Sequence, residues 1–573
     1  MPRIIDTDVV VIGGGAAGAH AALKVHAEGL KVLLIVKGFL GRSGCSIFAG
    51  NVQVMDTKGS PEEELKWLKV GAKYKGYYLL DQDYVKRANE FSVSTFYPDL
   101  ERKGLYLRRT ADGEFVSSKG KARNVWAPCQ GFTGVFMMEI LRKDILAKRI
   151  PLLQETMVTS LLMNDGQVVG VTALDILRGE FIVVRAKSII LATGPSNYLA
   201  TRSTATREQC ANGFAMAYRA GAQMQDLEMQ WWHASDIARP KSWMRLHIYP
   251  NPMPATAETV RLYNSDREMF FEQGMYPLAV APYSLQLKHL YPHVKNGKAT
   301  WHGGYFAGYT HIDAGAMELY KQYSYQTQFL EHLGIDISKD LIECAISWHM
   351  TQGGIRTNVE TMETSLPGLY APGGVGSHGG VGSITFVSYD GTVAALHACA
   401  RARTKPYLAL ADEQVAKEEQ RVLSRLRVRP HSGLRPAELK KRIRQIMWEK
   451  MGYIKNEKKM HEALAELAEV REKLVPLMGL ETMSRNWNSD WVDALDVDDM
   501  LDICELNIRS SLERQESRGP FFREDYPYID NKNWLKHTVV TRTENDIRID
   551  HAPIELKYIR PEADREDFFS ADY

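Results

Sequence analysis

The chain has few cysteines, and none of them forms a metal-binding pattern. Its 573 residues include six cysteines, and no two of these stand in a C-x-x-C pair. Zinc sites and iron–sulfur clusters need several such ligands close together, so we expect no metal site in this chain. Scattered free thiols are typical of a protein from a reducing cytoplasm.

Excess charge and long apolar runs are also missing. The 71 Lys and Arg residues nearly balance the 70 Asp and Glu residues, for a net charge of +1. This balance gives no reason to expect nucleic acid or an anionic membrane as a partner. No apolar run approaches the ~20 residues of a membrane span, and the first strand begins too early to leave room for a signal peptide. We therefore expect a cytoplasmic protein of several domains with no direct membrane span.

The N-terminal stretch carries the strongest pattern that is present. Residues 8–18 read D-V-V-V-I-G-G-G-A-A-G, an apolar strand that runs into a G-x-G-x-x-G turn at Gly13, Gly15 and Gly18. A helix-like run from Ala19 to Glu28 and a second apolar run from Lys31 to Val36 follow. This order predicts a dinucleotide site, in which the first glycine allows the tight turn, the second admits a pyrophosphate and the third lets helix and strand pack closely. The positive end of the helix dipole faces the phosphates.

One expected residue of such a site is absent. NAD-binding units usually have an acidic residue near the end of the second strand, where it holds the ribose. Here that place is Val36, and Lys37 follows it. A simple NAD site is therefore not favoured, and the nucleotide has to be identified from other residues.

Later segments predict further elements. Residues 150–185 alternate apolar and polar around Asp165-Gly166, which indicates a hairpin. An apolar strand then ends in Ala192-Thr193-Gly194, a second glycine turn in the same sheet. Amphipathic helices are predicted from Asp412 to Leu426, Pro436 to Met451 and Lys458 to Leu474. Strand-like alternation near the C-terminus, at residues 537–542 and 547–549, predicts strands that pack back on the body.

Together these motifs resemble the succinate dehydrogenase/fumarate reductase flavoprotein family, which includes L-aspartate oxidase and the adenylylsulfate reductase α subunit. The resemblance rests on the two glycine turns and on a third at Gly368–Gly374. The K-x-F-x-x-R-S-like stretch spans residues 37–43, the G-x-A-M-A-like helix spans 213–222 and the H-x-T-x-G-G-I stretch spans 349–355. The C-terminal E-S-R-G and N-W-x-K-H-T motifs span residues 516–519 and 533–538. They follow the family's order over nearly the whole chain.

The resemblance implies an α/β fold. It consists of a Rossmann-type FAD-binding domain with an inserted α+β capping domain and a C-terminal helical domain. The implied boundaries are 1–225 and 346–408 for the FAD-binding domain, 226–345 for the capping domain, 409–515 for the helical domain and 516–573 for a C-terminal segment. A capping domain that closes over the flavin would exclude water from its face.

The same resemblance implies FAD as the cofactor. Family members that link FAD covalently carry a histidine after R-S, but the chain has Gly44 there, followed by Cys45. We therefore predict non-covalent FAD. Its implied binding residues are Gly13, Gly15, Ala16, Ala17, Gly18, Lys37, Arg42, Ser43, Gly44, Cys45, Ala192, Thr193, Gly194, Asn212, Gly373, Gly374, Ser383 and Ile384. Gly374 replaces an acidic residue that is usual in the family's late turn.

Two histidines are the implied catalytic residues. His233 matches the histidine of the family's E-F-x-Q-F-H segment, and His349 matches that of H-x-T-x-G-G-I. Either could donate a hydrogen bond or a proton near pH 7. A structural role is the alternative for each.

The arginines that bind dicarboxylates in the family have no counterpart. The stretches that correspond to R-D-x-x-S-R and N-R-L-G-G-N-S contain no arginine, at residues 278–286 and 376–383. A dianion in a dry site without such partners would be costly. Arg239, Arg245 or Arg261 could bind an anion instead, and Trp231, Trp232 or Trp243 could stack on a ring, although surface exposure and core packing are the alternatives.

Three functions stay open at this point. The first is the flavoprotein subunit of a fumarate reductase/succinate dehydrogenase-like complex with a non-standard, anionic small-molecule substrate. Its electrons would pass to an iron–sulfur, ferredoxin-like subunit, which could associate the chain with a membrane. The second is an adenylylsulfate reductase-like α subunit, favoured by the glycine-rich residues 376–383. The third is a non-catalytic flavin electron-transfer subunit.

Overall fold

A computed structural model describes residues 3–50, 52–54, 60–107, 109, 111, 113, 123–125, 133–238, 260–272, 283–323, 325–377, 383–431 and 433–570. The strands within these ranges are β1 (Arg3–Ile12), β2 (Val32–Ile35), β3 (Val52–Val54), β4 (Arg123–Val125), β5 (Leu152–Leu153), β6 (Thr156–Asn164), β7 (Gln167–Asp175), β8 (Glu180–Leu191), β9 (Met224–Gln225), β10 (Gln230–Ile237), β11 (Arg261–Tyr263), β12 (Met269–Glu272), β13 (Tyr305–Gly308), β14 (Ile342–Thr351), β15 (Gly354–Ile355), β16 (Leu369–Tyr370), β17 (Tyr528–Asp530), β18 (Lys536–Arg542), β19 (Ile547–Pro553) and β20 (Arg565–Asp567).

The α-helices within these ranges are α1 (Ala16–Ala27), α2 (Pro61–Leu68), α3 (Gln82–Phe91), α4 (Tyr97–Arg102), α5 (Thr133–Ala147), α6 (Asn212–Arg219), α7 (Tyr283–Lys295), α8 (Ala314–Tyr323), α9 (Tyr325–His332), α10 (Ile384–Thr404), α11 (Asp412–Ser424), α12 (Pro436–Lys450), α13 (Glu457–Glu469), α14 (Ser489–Glu513) and α15 (Asn531–Trp534). Among the helices of the described residues, none combines the length and apolar character that crossing a bilayer requires.

The largest sheet forms the base of the N-terminal half. Its strand order is β5-β2-β1-β8-β7-β6, and β16 pairs with β8. Pairing is parallel from β5 through β2 and β1 to β8 and β16. Val9, Val10 and Val11 in β1 are fully buried. Burial on both faces explains why β1 reads as a continuous apolar run rather than an alternating one.

The predicted hairpin in this sheet is confirmed. Strands β6 and β7 pair antiparallel, with Asn164 opposite Gln167. The turn residues Asp165 and Gly166 both have positive φ, at 47° and 71°. This is the backbone geometry that two-residue hairpin turns need, and Asp-Gly adopts it at low cost.

A second sheet carries the two histidines implied to be catalytic. Its order is β10-β14-β13-β11-β12, with antiparallel pairing throughout. Trp232 in β10 lies opposite Trp348 in β14, and His233 lies opposite Ser347. Since β10 and β14 are hydrogen-bonded neighbours, their side chains at 233 and 349 come close together.

The region from residue 412 to residue 513 is largely helical, and the three helices predicted within it are confirmed. Helices α11, α12 and α13 begin within one residue of the predicted starts, although α13 ends at Glu469 and a π-helical turn follows. Helix α14 packs against α12, α13 and α6, so it joins the helical part to the first sheet. The predicted C-terminal strands are β18 and β19, and β18 pairs with β9 through Val539 and Val540. The last segment therefore packs back on the body of the protein.

Candidate cofactor and active site

A deep cleft opens where the first sheet ends. It encloses about 1670 Å³ of space outside the protein atoms, including its mouth, which is open to solvent. It is bordered by the glycine turn after β1, the loop after β2, the turn after β8, the turn after β16 and the start of α10. Among the residues implied to bind the cofactor, those that line it are Gly13, Gly15, Ala16, Ala17, Lys37, Ser43, Gly44, Cys45, Ala192, Thr193, Gly194, Asn212, Gly374, Ser383 and Ile384.

The first glycine turn is packed too tightly for side chains. Gly13 has φ +107°, and a Cβ added to it would lie 2.2 Å from the carbonyl oxygen of Ala192. A Cβ on Gly18 would lie 1.9 Å from the carbonyl oxygen of Gly13. Gly18 is absent from the cleft wall and instead lets α1 approach β1, which is the packing role that the motif assigns to its third glycine.

Polar atoms at the other turns lack partners. Within the described part of the chain, Oγ1 of Thr193, Oδ1 of Asn197 and Oγ of Ser383 are buried without a hydrogen-bond partner. Their residues all line the cleft. Buried polar atoms are nearly always paired in native proteins, so these atoms fit a bound group with many donors and acceptors. Together with the glycine cradle, the cleft therefore fits a dinucleotide.

Gly373 holds the late turn from outside the cleft wall. It has φ +76°, which glycine adopts without strain. Its N–H donates to Oδ2 of Asp390 over 3.1 Å. The buried side chain of Asp390 thus fixes the backbone that presents Gly374 to the cleft.

Lys37 lines the cleft, but its charge is already paired. Its Nζ lies 2.6 Å from Oδ1 of Asp496 in α14 and donates to Oδ1 of Asn212 over 2.8 Å. Burial raises the pKa of Asp496, but Lys37 and Lys440 outweigh it and lower the pKa to about 2. Helix α14 therefore neutralises the lysine of the cleft.

The residues implied to bind FAD in the loop after β2 lie in different surroundings. Arg42 does not line the cleft, because its Nη2 lies 2.7 Å from Oε2 of Glu139 and its side chain is 51% exposed. Gly44 has φ +78°, and a Cβ there would meet no atom within 4 Å. Cys45 donates its thiol to Oε1 of Gln209 over 2.7 Å, and burial raises its pKa to about 11. A protonated thiol is a poor nucleophile, which agrees with the prediction of non-covalent FAD.

Of the two histidines, only His349 faces the cleft. Its Nδ1 lies 2.8 Å from Oγ1 of Thr204, and burial lowers its pKa to about 4. His233 is fully buried, is absent from the cleft wall and packs its ring 4.7 Å from that of His349. The ring of His349 is therefore neutral at pH 7, and when Thr204 donates to Nδ1 the proton lies on Nε2.

The described part of the cleft wall contains no arginine. Arg261 lies in β11, where its Nε is 3.4 Å from Oε2 of Glu272. Arg239, Arg245, Trp243, residues 278–282 and residues 378–382 lie outside the described residues. Trp231 packs edge-on against Tyr77, and Trp232 packs against Trp348 with ring centroids 5.6 Å apart.

Sequence reasoning missed one segment of the wall. The loop between β8 and α6 contributes Asn197, Thr204, Glu208 and Gln209. None of these matches a family motif, and no periodic pattern marks them. The one signal that could have directed attention there is the unusual density of polar residues directly after Ala192-Thr193-Gly194.

Family models match most of the chain. A model described as "FAD binding domain" matches residues 8–384, and one described as "Fumarate reductase flavoprotein C-term" matches residues 440–566. Among individual relatives, a subunit of the CoM/CoB fumarate reductase of Methanothermobacter marburgensis is 27% identical over 558 residues, which cover 94% of this chain and 98% of that protein. The succinate dehydrogenase flavoprotein subunit of Rickettsia conorii is 25% identical over 590 residues, which cover 97% and 96%.

Solved structures share the fold. A quinol-fumarate reductase with menaquinol molecules superposes with a TM-score of 0.84 at 23% identity, covering 97% of this chain and 100% of that one. The adenylylsulfate reductase of Archaeoglobus fulgidus superposes with a TM-score of 0.78 at 18% identity, covering 97% and 98%. These likenesses confirm the predicted fold class, while the exact domain boundaries stay predictions.

Proposed function

The chain belongs to the succinate dehydrogenase/fumarate reductase flavoprotein family of FAD-dependent oxidoreductases, and we propose that it is the flavoprotein subunit of a complex with a non-standard substrate. The supporting observation is the cleft that joins the glycine turns to His349 without any arginine in its described wall. FAD, when bound, supplies two-electron transfer, and the protein supplies binding, orientation and electrostatics.

His349 is proposed to donate a hydrogen bond to the substrate through Nε2. Thr204 fixes the ring by its contact with Nδ1, and His233 packs behind it. A neutral imidazole at pH 7 can donate one such bond without placing a charge in a buried site. His233 is proposed as a positioning residue rather than a group that touches substrate, because it is fully buried.

The proposed substrate is a small anion, but not a simple dicarboxylate. Binding two carboxylates in a buried site requires paired cations, for which bidentate arginine is best suited. Lys37 is engaged by Asp496 and is therefore poorly placed to serve. A substrate with a single charged group requires fewer buried cations than a dicarboxylate and is the one we propose.

An iron–sulfur subunit is the proposed electron partner. The sequence has no cysteine pattern for a cluster of its own. No group of three or more potential metal ligands occurs in the ranges that the structure describes. We propose a cytoplasmic chain whose partner subunits carry electrons and provide any association with a membrane.

The test is anaerobic turnover by the native complex, purified with whatever co-elutes. Bleaching of the flavin absorbance by succinate, by sulfite with AMP, or by a panel of mono-acids identifies the substrate class. Rapid turnover of succinate or fumarate would contradict the non-standard substrate. Turnover of sulfite with AMP would favour the adenylylsulfate reductase-like alternative, and no turnover of any substrate would favour the non-catalytic one.

The role of His349 gives a separate prediction. We expect His349→Gln to lower kcat by about 100-fold or more, with FAD content unchanged, because general acid–base and hydrogen-bonding groups contribute factors of this size. Since the pKa of His349 is about 4, its ionisation should not shape the rate between about pH 5.5 and pH 8. The control is His461→Gln, which removes an exposed histidine from α13. Unchanged kcat in His349→Gln would remove this residue from the active site.

A further inference from the structure

Neither of the two positions where an acidic residue is expected near FAD carries one. Val36 occupies the end of β2, where a carboxylate usually holds the ribose, and Gly374 occupies the late turn. Val36 is 4% exposed, and its backbone N–H donates to the carbonyl of Leu153. The adenosine half of the cofactor would therefore lack the usual carboxylate if only the motif positions are considered.

The side chain of Glu208 lies near the end of β2, although it belongs to another part of the chain. It lies in the loop before α6 and lines the cleft. Its Cγ lies 3.9 Å from the position that a Cβ on Gly38 would take, and Gly38 is the second residue after Val36. This separation is an ordinary van der Waals contact, so the Glu208 side chain packs beside the backbone of Gly38. The side chain of Glu208 thus lies beside the segment that follows β2, although 172 positions separate it from Val36 (208 minus 36).

One oxygen of the Glu208 carboxylate lacks a hydrogen-bond partner among the described residues. Its Oε2 is buried and accepts no hydrogen bond from any residue that the structure describes. The ammonium group of Lys37, the cation at the end of β2, is already paired with Asp496. A buried carboxylate oxygen without a donor is costly, so this atom fits a donor from a molecule bound in the cleft.

The position beside the end of β2 indicates which group of FAD would donate to Oε2 of Glu208. A carboxylate at this place in dinucleotide folds accepts hydrogen bonds from ribose hydroxyls. Two vicinal hydroxyls match a carboxylate, which accepts through both oxygens. Pyrophosphate is excluded as the partner, because it is an anion like the carboxylate.

We propose that Glu208 binds the ribose hydroxyls of the adenosine half of FAD and replaces in space the carboxylate that is absent at Val36. This assignment rests on FAD as the cofactor and not on the substrate proposed above. It makes Glu208 a cofactor-binding residue outside every motif that this chain shares with the family.

The test measures cofactor affinity of the full chain after removal and titration of flavin. We expect Glu208→Ala to weaken FAD binding by about 10- to 100-fold, because hydrogen bonds to charged groups are worth about 1.5–3 kcal/mol. Binding of FMN, which lacks the adenosine half, should stay within about twofold. Glu208→Gln keeps the shape and one acceptor and should lose less. Glu180→Gln, at an exposed position of β8, is the matched control.

FAD analogues with 2′-deoxy- or 3′-deoxyadenosine separate this role from folding. The native chain should lose about tenfold in affinity for at least one analogue, and that loss should shrink below about twofold in Glu208→Ala. An undiminished loss in the variant, or equal weakening of FAD and FMN, would overturn the proposal. Since both readouts are binding constants, they do not depend on whether the substrate has been identified.

Discussion

Two buried polar regions of this protein differ in how completely their atoms are paired. The cleft contains Thr193, Asn197, Glu208 and Ser383, each with a buried oxygen that lacks a partner in the described structure. In the second region, around Arg514 at the end of α14, every donor of a fully buried guanidinium has a partner, and one carboxylate oxygen, Oε2 of Glu228, lacks one. The unpartnered atoms of the cleft belong to residues that line an open space, whereas the guanidinium of Arg514 is fully occupied by the protein itself.

Arg514 illustrates the saturated case. Its Nε donates to Glu228 over 2.7 Å and its Nη1 to Glu516 over 2.8 Å. The remaining donors reach the carbonyls of Trp534 and Lys536 and the hydroxyl of Thr538, at 2.9, 2.9 and 3.3 Å. The E-S-R-G and N-W-x-K-H-T motifs meet here, so their residues join the C-terminal segment to the body. Motif density alone therefore does not mark a catalytic site.

The largest loss of stability is expected when the buried guanidinium of Arg514 is removed. Arg514→Met would leave Glu228 and Glu516 buried without one of their cations. We expect a loss of about 3–5 kcal/mol in stability, because removing one partner of a buried ion pair leaves an uncompensated charge. The thermal midpoint and the urea midpoint, measured on the FAD-loaded protein, report it.

The matched control for Arg514 is an arginine on the surface. Arg548 in β19 pairs with Asp550 at 2.7 Å and is 63% exposed, so Arg548→Met should cost less than about 1 kcal/mol. Adding Glu228→Gln to Arg514→Met should recover part of the loss. Equal midpoints for the two arginine variants would contradict the structural role of the network.

A smaller change in stability is expected at Lys455. This residue shows that a missing hydrogen-bond partner alone does not mark a ligand site. Its Nζ is buried without a hydrogen-bond partner among the described residues, yet it lies outside the cleft wall. Burial, together with Arg523 and Lys459, lowers its pKa to about 7. The amine can therefore lose its charge near neutral pH, and it packs 5.0 Å from the ring centre of Phe521. The cost of burying this amine is therefore lowered by the loss of its charge, at a place outside the cleft wall.

The pH dependence of stability tests this reading of Lys455. Between about pH 7 and the ordinary lysine pKa near 10.4, the unfolded chain keeps a proton that the folded chain has lost, so this residue makes stability rise with pH. Lys455→Met should remove that rise and, because the lowered pKa costs about 1.4 kcal/mol per unit, stabilise the protein by about 1–4 kcal/mol at pH 7. Thermal midpoints at pH 7 and pH 9.5 measure both effects. A destabilised variant with an unchanged slope would mean that Lys455 is charged and bound.

Local patterns in the sequence were sufficient for much of the fold. The glycine turn at Gly13, the Asp165-Gly166 hairpin and the helices from Asp412 onward all follow from turn chemistry and apolar periodicity within short windows. The structure brings most of the implied cofactor residues to one cleft because three glycine turns end neighbouring parallel strands.

The remaining features depend on contacts between distant residues. Glu208 reaches the loop after β2, and Asp496 reaches Lys37 across 459 positions. No local pattern encodes such pairings, because each is set by how separate elements pack. His233 shows the converse: a motif match identified the residue, but the register of β10 against β14 buries its ring behind His349.

The smallest effect is expected at Arg42, where motif and structure point to different roles. The motif implies cofactor binding, whereas the structure pairs Arg42 with Glu139 on a half-exposed surface. Because Arg42 is paired with Glu139 and does not line the cleft, Arg42→Gln should change FAD affinity by less than about twofold and stability by less than about 1 kcal/mol. Glu139→Gln, which removes the other partner, should give the same result. Tenfold weaker FAD binding in Arg42→Gln but not in Glu139→Gln would show that Arg42 turns toward the cofactor when it binds, and would extend the unsaturated region to this loop.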